Sequence, residues 1–175
     1  MPAKNITLFI ISCFLTFQNF AQMLDLEEKK PVLSNGIEYG YIIKNEQVKA
    51  VKDEEYSRYE ITLYASNKSG CTKLYADRET IFGESPNMLV NFECNNATGK
   101  RLTSKGGKVY AKLFYIPLKT TEKDSEGKSY TKTTSTKAGY IFRNGDTIQD
   151  KIIVIVPRGE RPVMRAVVNS LQELN

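Results

Sequence analysis

Apolar and polar residues alternate with a period of two through much of the chain. From Arg58 to Ala65, the residues Tyr59, Ile61, Leu63 and Ala65 alternate with Arg58, Glu60, Thr62 and Tyr64, which predicts a strand with one apolar and one wet face. Met88, Val90, Phe92 and Cys94 repeat the pattern against Leu89, Asn91 and Glu93. Val109, Ala111, Leu113 and Tyr115 do so against Lys108, Tyr110 and Lys112, with Phe114 and Ile116 making the second face of that strand partly apolar. Strands with one apolar face need a partner layer, so several of them imply stacked sheets.

Turn chemistry falls between these runs. Asn67-Lys68-Ser69-Gly70, Asn95 to Gly99, Ser104 to Gly107, Ser125-Glu126-Gly127 and Asn144-Gly145-Asp146 all supply residues that tolerate positive φ or bond their own backbone. Ile148 to Val156 differs, being apolar on both faces over Ile152 to Val156, which reads as a central strand ended by Pro157. Helix signals are scarce. Val163, Val167, Leu171 and Leu174 match a helical spacing after Pro162, but Arg165 to Val168 also reads as a last strand, and the strand is preferred. About seven to nine short strands with frequent turns predict an all-β fold, an antiparallel two-sheet sandwich.

Residues 1–22 differ from the rest: Lys4 is their only charge, and an apolar run from Ile6 to Phe17 precedes Gln18 to Gln22. The run is too short to span a bilayer and has the length of a signal-peptide apolar region, so secretion with cleavage near Ala21 is expected. The tail of this leader, Asn19-Phe20-Ala21-Gln22, resembles those of exported proteins of Bacteroidetes-type bacteria. A lipidated start at Cys13, after Ile10-Ile11-Ser12, is the alternative export route. The remaining 23–175 are expected to form one domain, secreted or periplasmic, with no transmembrane segment.

The stretch Ala138 to Ile148, with Lys151 to Pro157 after it, resembles the closing strands of immunoglobulin-like or fibronectin-III-like domains, where a Gly-Asp turn often precedes a long apolar strand. The resemblance implies an immunoglobulin-like sandwich. The chain has no Trp, so the buried Trp of antibody domains is absent, and Tyr59 or Phe92 is the expected filler of that volume.

Composition narrows the chemistry. There is no His among 175 residues, which removes His-based nucleophile pairs, His general bases and His-ligated metals. No catalytic residue, metal or cofactor is expected. The acids group locally as Asp53-Glu54-Glu55, Asp77 with Glu79, Asp124 with Glu126 and Asp146 with Asp150, and no cluster has the spacing of a calcium loop. The net charge of +5 comes without a block of consecutive basic residues, so no nucleic-acid partner is expected. With Cys13 lost in the leader, Cys71 and Cys94 are the disulfide candidates, closing a loop of about 23 residues worth on the order of 3 kcal/mol. Asn67-Lys68-Ser69 and Asn96-Ala97-Thr98 match the N-glycosylation acceptor pattern.

Lys119 to Lys137 is nearly all Lys, Thr, Ser, Asp, Glu and Gly, with Tyr130 its one aromatic. It reads as a long polar hairpin around 117–138 that projects from the sandwich with two wet faces. Tyr115, Lys119, Lys123, Lys128, Tyr130 and Lys132 are the candidates there for cationic and stacking contacts to a protein partner, or to an anionic glycan. The leading expectation is therefore a non-enzymatic exported interaction module whose protein partner engages this hairpin or an exposed sheet edge. A carbohydrate-binding module, using tyrosine faces such as Tyr39 with Tyr41 or Tyr110 with Phe114, and a lipid-anchored accessory subunit are the alternatives.

Overall fold

A computed structural model describes residues 22–51, 54–77, 85–171 and 173–174. Residues 1–21, with Cys13, lie outside the described residues, as do Asp53 and Glu79. Within them the regular elements are all strands: β1 Gln22–Asp25, β2 Val32–Ser34, β3 Ile37–Val51, β4 Glu54–Asn67, β5 Lys73–Tyr75, β6 Met88–Asn95, β7 Gly107–Tyr110, β8 Lys112–Lys123, β9 Ser129–Phe142, β10 Thr147–Pro157 and β11 Val163–Val168. Eleven strands exceed the seven to nine expected because β1, β2, β5 and β7 have only three or four residues each. Alternation over so few positions leaves no readable period. The segment after Pro162 is a strand, β11, as its alternation indicated.

The strands form antiparallel sheets in the orders β1-β11-β6-β7, β10-β4-β3-β2 and β5-β9-β8. The first two stack as a sandwich. Val90, Phe92 and Cys94 of β6 and Met164 and Ala166 of β11 share one core with Tyr39 and Tyr41 of β3 and Ile61 and Leu63 of β4. The third sheet, which the two-sheet expectation lacked, adds Tyr75, Tyr140 and Phe142 to that core. Burial of each large apolar side chain, such as Phe92, Ile61, Leu63 or Met164, contributes about 1.5–3 kcal/mol against a large cost in chain entropy. Phe92 and Tyr59, the expected substitutes for a core Trp, are both buried.

Local chemistry sets the chain reversals. Asn35 and Gly36 both have positive φ, 50° and 74°, the conformation of a two-residue turn between β2 and β3. At Ala111 the chain passes from the first sheet to the third. There the Ala111 N–H donates to the Asn87 carbonyl at 2.8 Å, and the Asn87 side-chain amide donates to the Ala111 carbonyl at 2.9 Å. This clamp explains why one run of alternating residues has two fates: Val109 and Ala111 are buried, Leu113 and Tyr115 are exposed.

The expectation of β10 as a central strand is corrected. It is the outermost strand of its sheet, paired with β4 from Thr147↔Ser66 to Pro157↔Tyr56. Val154 and Val156 face the core, whereas Ile153 and Ile155 are 44% and 53% exposed.

Candidate functional site

β8 and β9 form the long hairpin, pairing from Lys112↔Ile141 to Lys123↔Ser129 with a bulge at Phe114/Tyr115. Asp124 closes its tip by accepting the N–H groups of Glu126 and Lys128 at 3.0 and 2.8 Å, an Asx turn in which Gly127 takes a positive φ. Alternation along the register divides the six candidate residues. Tyr115, Lys119 and Lys123 share one face, Tyr130 and Lys132 lie on the other, and Lys128 ends the turn. They do not converge on one site.

The second face is internally paired. Tyr130 donates its hydroxyl to Glu122 at 2.8 Å, and Lys132 Nζ reaches the same carboxylate at 3.2 Å. The bond to Glu122 raises the Tyr130 phenol above its usual pKa. At the base of β9, Lys137 Nζ meets Asp77 at 2.7 Å and the Tyr140 hydroxyl at 2.8 Å, while Tyr140 donates to Asp77 at 2.9 Å. These bonds hold Asp77 below the usual carboxylate range and tie the hairpin to the segment after β5.

Two wet faces describe only the outer part of the hairpin. Near its base, β8 exposes Leu113, Tyr115, Ile116 and Leu118, each 43% to 50% accessible. Leu113 and Tyr115 lie on one face, Ile116 and Leu118 on the other. β8 is also the outermost strand of its sheet. Leu113, Ile116 and Leu118 were absent from the candidates; the signal for them was the run of apolar residues on both faces from Leu113 to Leu118, interrupted only by Pro117, which an edge strand tolerates.

A second feature lies where the sandwich's two sheets meet. A groove of about 1080 Å³ runs between β7 and β10, with Phe92, Val109, Ile148 and Ile152 among its apolar lining. Arg101, Lys105, Lys108 and Lys151 also line it. The acid in the lining, Asp150, is engaged by backbone, accepting the N–H groups of Lys108 at 3.1 Å and Lys151 at 2.8 Å.

The other expectations resolve one by one. Cys71 and Cys94 are separate thiols, which corrects the expected disulfide. Cys71 is exposed in the loop beyond the end of β4, whereas Cys94 is fully buried in β6 opposite Met164. Burial pushes the Cys94 thiol up to about 11. Tyr39 and Tyr41 are buried, so they cannot form an exposed sugar platform. Asn67 is sealed from solvent with its amide bonded to the carbonyls of Cys71 and Phe142, which takes the first glycosylation motif out of use. Asn96 folds its own turn, its Oδ1 accepting from Thr98 and Lys100. Asp146 pairs with Lys112 at 3.0 Å; with Asp150 and Asp124 held by backbone, these acids are each occupied locally. Among the described residues, no helix is long and apolar enough to cross a membrane.

Compared with protein-family models, with curated proteins and with solved structures, the chain matches none of them.

Proposed function

We propose that the chain is a non-enzymatic, exported interaction module of the cell envelope or extracellular space, which binds a protein partner through the base of its β8–β9 hairpin. The observation that carries this reading is the exposure of Leu113, Tyr115, Ile116 and Leu118 together on one outermost strand. Scattered surface apolar residues are ordinary, but four within six residues of one outermost strand, Leu113 and Tyr115 on one face and Ile116 and Leu118 on the other, favour a partner that wraps that edge. Export is supported by the leader-like composition of residues 1–22. The lysines and threonines beyond Leu118 keep the rest of the hairpin soluble and discourage indiscriminate strand pairing.

Affinity capture from envelope extract tests the reading, comparing the unaltered protein with a Leu113→Ser/Ile116→Ser/Leu118→Ser variant. These side chains are half exposed, so the variant is expected to fold and to lose the captured partner. A Lys119→Ala/Lys123→Ala variant is expected to retain it. Equal capture by all three proteins would remove the base of the hairpin as the binding surface.

A further inference from the structure

β10 has the side-chain pattern of an interior strand and the position of an outer one. Val154 and Val156 are in the core, yet Ile153 and Ile155 stand exposed on the opposite face. β4 pairs with β10 along one side, and among the described residues no strand pairs with the other. Outer strands normally carry charge, proline or a covering loop to discourage pairing. From Ile152 to Val156, β10 carries none of these in its own sequence. The uncharged stretch Ile152 to Val156 therefore continues, with no strand paired on its outer side among the described residues, from a groove of about 1080 Å³ that runs along Ile148 to Ile153 and is polar at Asp150 and Lys151.

The groove's charge specifies what would occupy it. Arg158, Arg161 and Arg165 elsewhere on the surface each meet a carboxylate. Arg101, Lys105, Lys108 and Lys151, which line the groove, form no ion pair among the described residues. Asp150 holds the backbone N–H groups of Lys108 and Lys151 rather than their ammonium groups, and its single negative charge leaves the lining, with four cations, net positive. The geometry points to strand addition: β10 takes up an extended, acidic segment of a partner protein, which becomes the next strand of the β10-β4-β3-β2 sheet. Its backbone satisfies the open side of β10, one alternate set of side chains covers Ile153 and Ile155, and its carboxylates meet the unpaired cations. A segment of six residues spans about 20 Å. A second copy of this chain fits less well, because it would bring the same cations toward themselves.

This inference deepens the interaction-module reading but uses a different surface, so the two fail separately. The test pans a phage-displayed library of random twelve-residue peptides against the purified protein and measures binding of the selected peptide as a synthetic compound. The selected sequences are expected to alternate apolar and acidic residues. Lys108→Glu/Lys151→Glu and Ile153→Lys/Ile155→Lys, all at exposed positions, are each expected to weaken binding at least tenfold, while the β8 serine variant leaves it unchanged. N-methylating one alternate set of peptide amides is expected to abolish binding and methylating the other set to preserve it, as only one set faces β10. Three results would each overturn the proposal: no selected peptide, peptides without acidic enrichment that bind both lysine-to-glutamate and isoleucine-to-lysine variants normally, or self-association of the protein through β10. Loss of binding in the β8 variant alone would move the site to the hairpin and likewise overturn it.

Discussion

The side-chain amide of Asn67 donates to the carbonyl of Phe142 at 2.8 Å, joining the end of β4 to the end of β9 across 75 residues of chain. The same amide donates to the Cys71 carbonyl at 2.9 Å, and Asn67 Oδ1 accepts from the Ser69 N–H and hydroxyl at 3.0 and 2.7 Å. One fully buried side chain thus organises the β4–β5 loop against the second and third sheets. Asn67→Ala removes the side-chain donor of the buried Phe142 carbonyl, at a cost of about 1–3 kcal/mol, while the carbonyl of exposed Cys71 keeps the Ser69 hydroxyl at 3.0 Å. A loss of about 1–3 kcal/mol in urea unfolding is expected. Asn67→Asp is expected to lose more at neutral pH, because a carboxylate then faces two carbonyl oxygens, and to regain part of it on acidification.

The two thiols differ in accessibility. Cys71 is exposed and Cys94 is buried with its thiol raised to about 11, and the thiolate is the reactive form. In the native protein near pH 8, a disulfide-exchange reagent is expected to label one thiol within minutes, and Cys71→Ser to remove that signal. Cys94 is expected to react only after denaturant is added. A mature protein with no titratable thiol under denaturing, non-reducing conditions would show instead that the two are bonded.

Alkaline pH acts on the same core. Burial raises the Cys94 thiol to about 11 and raises the Tyr39 and Tyr75 phenols as well. In the unfolded chain the thiol titrates near ~8.5–9 and the phenols near ~10. The unfolded state therefore releases protons that the folded state keeps, and stability falls as pH rises through the window from about 9 to 11. Below that window this contribution is fully present. Cys94 alone accounts for a loss on the order of 3 kcal/mol, with the tyrosines adding to it. Urea midpoints measured from pH 8 to 11 are expected to drop, and Cys94→Val to flatten the lower part of the drop.

The outer hairpin is expected to be dispensable for folding. Beyond the Lys119↔Thr133 pair, its side chains bond mainly to one another, as in the Glu122, Tyr130 and Lys132 group. Replacing residues 120–132 by Asn-Gly, which favours a two-residue turn, is expected to change unfolding free energy by less than about 1 kcal/mol. A larger loss would mean that the projecting part supports the sandwich.

What could be read from sequence followed from length of pattern. The alternation in β4 and β6 names core residues directly, because each runs for several positions and packs one face on the same layer throughout. The short strands were invisible, although Asn35-Gly36 is a strong hairpin signal that would have located β2 and β3. Two misreadings had a common cause. Periodicity reports which residues share a face but not what covers that face, so Leu113 and Tyr115 looked like core although the chain had already changed sheets at Ala111. Likewise β10 looked central although, among the described residues, no strand pairs with its outer side. The paired thiols failed for a geometric reason, since spacing along the chain does not reveal that one cysteine points into the core and the other lies in an exposed loop.

The proposed role of β8 is tested most directly by site-specific photo-crosslinking in the producing cell, with a benzophenone amino acid at Leu113, Ile116 or Leu118 and, as control, at Lys123. Efficient crosslinks from the three apolar positions to one and the same protein, with little from Lys123, are the expected result. Uncrosslinked protein at all three positions, or a partner reached equally from Lys123, would contradict a binding surface at the base of the hairpin.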